Sequence, residues 1–142
     1  MVEVSFARLL ALRALYGLMS LGLAVVIWPQ LLFQTPATVD SGSVVRSLLG
    51  ALGLLAAFGL RYPLQMLPVL LFELLWKLVW VGAVALPAWQ QDRLGAYGTA
   101  TFYECLPAFI LFPLIIPWRY VLAVYIKAPG TPWHCRRREG DA

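Results

Sequence analysis

Four stretches of this chain, about 9–31, 44–60, 64–87 and 99–117, stay apolar long enough to cross a bilayer if wound as α-helices. At 1.5 Å per residue, about 20 residues cover the roughly 30 Å of a hydrocarbon core. No other feature constrains the fold as strongly. Hydrocarbon offers nothing to an unpaired backbone N–H or C=O, so only helices or closed barrels can span it. The composition points the same way, with 61% hydrophobic and 13% charged residues. A soluble domain of this size carries about a quarter charged residues, so this chain has too little polar surface to cover a water-soluble globule. The expectation is an all-α fold, a membrane four-helix bundle, with residues 1–126 as the four-span domain and 127–142 as a basic cytoplasmic tail. The fourth span has room to run on to 126.

The first apolar run follows Arg8 and Arg13, as the core of a secretory signal would. It is longer than the roughly 7–15 residues of such a core, no small-x-small pattern closes it, and it ends in "IWPQLLF". It reads as a retained membrane helix. The polar cluster "QTPATVDSGS", the short turn "RYP" and the segment "AWQQDRLGAYG" separate the spans.

Orientation follows from the Lys and Arg residues. Arg8, Arg13, Arg61, Arg119, Lys127, Arg136, Arg137 and Arg138 fall on one side of a four-span arrangement, Arg46 and Arg93 on the other, and Lys77 within a span. Both termini are therefore expected to be cytoplasmic. Trp28, Trp89 and Tyr97 fall at the outer boundary, and Tyr62, Trp118 and Tyr120 at the inner one.

Helices in lipid associate by close packing and polar contacts, because acyl chains are as apolar as Leu. Gly50, Gly53 and Ala57 form a small-residue stripe on the second span. Arg13, Tyr16, Gly17, Ser20 and Ala24 share a face of the first, expected to point inward. Pro107, Pro113 and Pro117 each remove a backbone donor from the fourth span, which predicts a kinked or locally unwound helix.

Charged residues within the spans are the candidate binding site. Glu73 falls near the bilayer midplane and Lys77 lies four residues on, about 40° around the helix, in the favourable order for an intrahelical pair. Trp76 and Trp80 lie beside or on the same side. Arg13, with Tyr16 near it, is placed to approach Glu73, and Arg46 and Glu104 are expected to make a second pair. Thr101 and Tyr103 are polar neighbours. One reading is a polar cavity in which Glu73 exchanges a proton or binds a cationic or amphipathic ligand. The other is a set of ion pairs that fix helix register.

Several chemistries lack their residues. The one His lies in the tail, so haem ligation by paired histidines is excluded, and no phosphate loop, zincin helix or Ser/His/Asp set is present. His134 with Cys135 makes only half a metal site, so no metal and no cofactor are expected. Cys105 and Cys135 fall toward opposite faces and are expected to be free thiols. The basic tail lacks interleaved aromatics, which argues against nucleic-acid binding.

The segments "VVRSLLGALGLLAAFGLR", with Arg46 opening a Gly-rich span, "RYPLQMLPVLLFELLWKLVWV" and "IIPWRYV" resemble the small DoxX-like bacterial membrane proteins and other bacterial integral membrane proteins of this length. The resemblance implies the four-helix architecture and a multi-pass place in the cell inner membrane. Some members of that group are linked to quinone-dependent oxidation. No position here matches a catalytic residue of the group, so catalytic residues stay unknown. The leading expectation is an accessory or ligand-binding membrane protein rather than an enzyme. Its partners would be the lipid bilayer, a small apolar or amphipathic ligand, and a second copy or partner membrane protein. A proton-coupled small transporter using Glu73 and a membrane enzyme acting on a lipid or isoprenoid are the alternatives.

Overall fold

The computed structural model describes residues 4–33 and 39–130, which are helical with short connectors and contain no strand. Helix α1 is Phe6–Phe33, α2 is Ser41–Arg61, α3 is Leu67–Gln90 and α4 is Gly95–Ile115. All four are long and apolar enough to cross a membrane. A short helix, α5 (Trp118–Val121), follows and widens into a π-helical turn, Leu122–Lys127. The basic tail with His134, Cys135 and the Arg triplet, and most of the first connector, lie outside the described residues.

Local chemistry sets the helix ends. Asp40 caps α2 by accepting from the Ser43 N–H at 2.7 Å, while Ser43 Oγ accepts from the Asp40 N–H at 3.2 Å. This reciprocal box satisfies two backbone donors that the first turn would leave orphaned. At the far end of α3, the Arg93 N–H reaches the Ala88 carbonyl at 2.8 Å and the Asp92 N–H reaches Trp89 at 3.0 Å. Those two bonds require a left-handed residue between them, and Asp92 supplies it with φ 56. Pro68 sits in the first turn of α3, where its missing N–H costs nothing.

The prolines act differently from one another. Helix α4 passes through Pro107 and Pro113 and ends before Pro117, with Ile116 extended at φ −60, ψ 126. A residue preceding proline is sterically pushed out of the helical region, and here nothing holds it in. Pro117 has no N–H to offer the Pro113 carbonyl, and the Trp118 indole donates to it instead at 2.8 Å. The expected local unwinding is found at Pro117. A wide turn not foreseen from the sequence interrupts α3 at Val81–Ala85, where the Leu86 N–H bonds back to Val81. Pro87 follows directly, and its ring would crowd the carbonyl four residues earlier in a regular turn.

Helix α2 runs antiparallel to α1, with Gly50 beside Leu31 and Gly59 beside Tyr16. Leu12, Leu15 and Tyr16 of α1, Ala56 of α2, Leu67, Leu70 and Leu74 of α3, Phe112 of α4, and Ile116 and Val121 form one buried cluster. The cluster joins the first half of α1 to the last part of α4, so both lie at the end of the bundle that holds the α2–α3 turn. Helices α1 and α2 pack closely along their length. A Cβ on Gly59 would overlap the Tyr16 ring, and one on Gly53 would lie 3.1 Å from Leu23. The Tyr16 hydroxyl, wholly buried, donates to the Pro63 carbonyl of the turn at 3.1 Å.

Two expected faces are rotated. The small-residue seam on α2 is Gly50, Gly53, Ala56 and Gly59, and Ala57 is exposed. On α1 the buried residues are Leu12, Leu15, Tyr16 and Ile27, with Gly17 and Ser20 half-buried and Arg13 and Ala24 exposed. Large side chains that fill the glycine seam set the rotation of α1, and this carries Arg13 outward.

Candidate functional site

Glu73 is the one buried charged residue among the described residues, at 5% exposure. It lies on α3, whose first turn begins at Leu67 rather than at 64, so Lys77 is nearer the helix midpoint than Glu73. The i, i+4 spacing brings Lys77 Nζ to 2.6 Å from Glu73 Oε2. The same oxygen accepts from the Trp76 indole N–H. Lys77 Nζ lies 4.3 Å from the centre of the Trp76 ring and 6.0 Å from that of Phe112 on α4. The ammonium therefore has a carboxylate on one side and aromatic faces on others. Ionised groups at the centre of a membrane helix cost about 2.5–3.5 kcal/mol each on insertion scales. Pairing and the ring faces offset much of that.

The pair lines a cavity of about 440 Å³ between α1, α3 and α4, with Leu49 of α2 also in its lining. Thr101, Glu104 and Cys105 of α4 share its wall, at the i, i+3, i+4 spacing of one helix face. Leu18, Met19, Gly22, Leu23, Val26 and Ile27 of α1 make the apolar side. A Cβ on Gly22 would meet nothing within 4 Å, so the missing side chain is part of the open space. Glu104, the tenth residue of α4, is exposed and lines this cavity, and its carboxylate has no hydrogen bond or ion pair among the described residues.

The sequence-predicted residues thus separate into groups. Glu73, Trp76, Lys77 and Glu104 come together in the cavity. Trp80 is half-buried but does not line it. Tyr16 is a packing and hydrogen-bonding residue at the closed end. Arg13 is exposed and forms no ion pair among the described residues, so it does not approach Glu73 as expected. Arg46 does not pair with Glu104. It pairs at 3.7 Å with Asp40, the cap of its own helix, because that carboxylate is fixed one turn and a half away. Cys105 is buried and free.

The α1 wall was not singled out from the sequence. Its signal was present as pairs recurring every four residues, 18–19, 22–23 and 26–27, but an apolar stripe looks the same whether it faces lipid or a cavity. A second cavity, of about 430 Å³, lies beside the wide turn of α3 and is lined by apolar groups including Val81, Trp89, Leu94 and Phe102.

No known protein family, curated protein or solved structure matches this chain.

Proposed function

We propose that this chain is a small multi-pass membrane protein that holds a small amphipathic ligand in the groove between α1, α3 and α4. The single observation that carries this reading is the groove itself, where a buried ion pair, an unpartnered carboxylate and an apolar wall meet in about 440 Å³. Binding sites for small molecules occupy about 300–1,000 Å³, with mostly apolar linings and a few convergent polar groups. The distribution of Lys and Arg supports cytoplasmic ends, and the resemblance to small bacterial membrane proteins supports an inner-membrane setting. Proton exchange at Glu73 is less well supported, because two donors from its own helix already hold one of its oxygens.

Gly22→Leu tests the reading without altering a charge. The new side chain projects into open space and fills the groove. Native mass spectrometry of protein extracted in mild non-ionic detergent should show a retained amphiphile on the wild type and none on the variant, with stability unchanged within ~0.5 kcal/mol. Equal retention by both, or nothing retained by the wild type, would overturn the proposal.

A further inference from the structure

The groove's polar groups define which end of an amphiphile it recognises. Its charged lining consists of Glu73, Lys77 and Glu104, the other lining residues being uncharged. Glu73 and Lys77 neutralise each other at 2.6 Å, and the Trp76 N–H is spent on the same carboxylate. Glu104 then leaves the groove with one acidic group in excess of its basic ones. Thr101 Oγ1 donates its proton to the Tyr97 carbonyl at 2.9 Å, which leaves its oxygen as an acceptor. Glu104 and Thr101 lie three residues apart on one face of α4, so their unspent capacity is acceptor capacity on one wall. The remaining N–H groups of Lys77 are the only strong donors left, and they sit against the ion pair and the Trp76 ring on the opposite helix. The wall on α1 offers no polar side chain at all, only Leu18, Met19, Leu23, Val26 and Ile27 around the gap at Gly22.

Building on the groove as a ligand site, we infer that its ligand is an amphiphilic amine. The protonated nitrogen donates to the Glu104 carboxylate and the Thr101 oxygen, and the aliphatic body lies along α1. An anionic head would meet the uncompensated carboxylate. A neutral head would leave that carboxylate without a counter-charge. An amine supplies both the charge and the N–H donors that the α4 wall lacks.

Three probes with the same tail separate the possibilities: dodecylammonium, dodecanol and dodecanoate. Each is titrated calorimetrically into the full chain in zwitterionic-lipid nanodiscs near neutral pH, against empty nanodiscs. Dodecylammonium should bind about tenfold more tightly than dodecanol, the factor one charge-assisted hydrogen bond supplies. Glu104→Gln should bring the two together, and Glu104→Asp should keep most of the preference. Because Glu104 is exposed, neither change disturbs the core, which circular dichroism checks. Dodecanoate binding as well as the amine, or an unchanged ratio in Glu104→Gln, would overturn the amine assignment and leave the groove reading intact. Absence of saturable binding by all three would overturn both.

Discussion

The closed end of the bundle and its groove are built from the same four helices yet solve opposite problems. At the closed end, Tyr16 lies against Gly59, its hydroxyl is used by Pro63, and Leu12, Leu67, Leu70 and Ile116 fill the remaining space. Farther along α1 and α3, glycine faces emptiness at Gly22, and charges rather than side-chain volume occupy the interface. The contrast shows two uses of small residues. Beside a large partner, glycine brings backbones together, which is how helices gain contact when lipid offers no hydrophobic drive. Opposite a charged helix face, the same residue leaves room.

The largest effect is expected in the groove. Lys77→Met alone leaves Glu73 buried beside one indole donor, and loss of one member of a buried pair costs about 3–5 kcal/mol. Changing both residues, Glu73→Gln with Lys77→Met, should recover most of it. Unfolding in mixed micelles measures both. If the single change is harmless, water already reaches the pair and the groove is open rather than dry.

Next comes the closed end. Gly59→Ala must push the Tyr16 ring away from a packed helix, and overpacking of this kind costs about 1–3 kcal/mol. No loss would mean that α1 and α2 are less tightly held than the structure shows. Tyr16→Phe is the smallest, at about 1 kcal/mol, for a hydrogen bond to a turn carbonyl. It should leave ligand retention intact, whereas Gly22→Leu should do the reverse. A Tyr16→Phe variant that loses ligand would show that the two regions are coupled.

Part of the site could be read before any coordinates. Glu73 and Lys77 lie on one helix, so their spacing alone brings them together. The expected spans differ from the helices by a few residues at each end, because caps such as Asp40 and Asp92 set the boundaries. Partners between helices were harder. The sequence offers Glu104 as a partner for Arg46, but a fixed carboxylate six residues away takes it. The spacing puts Ala57 in the seam, where Ala56 and Gly59 stand. The first error comes from a nearer partner on the same helix, and the second from helix rotation, which a shift of one residue changes by about 100°.

Apolar length and intrahelical spacing were properties of the sequence by itself: four helices able to cross a membrane, and one ion pair within the third. They are local, depending on residues at most a turn apart or on the sum over a span. Which faces meet was decided only in the tertiary structure. Rotation of α1 onto the glycine seam sent Arg13 outward, and the approach of α4 to α3 put Glu104 beside a pair already neutral. Packing chose those arrangements because it compares the shapes of whole helices, and no short stretch of sequence contains that comparison.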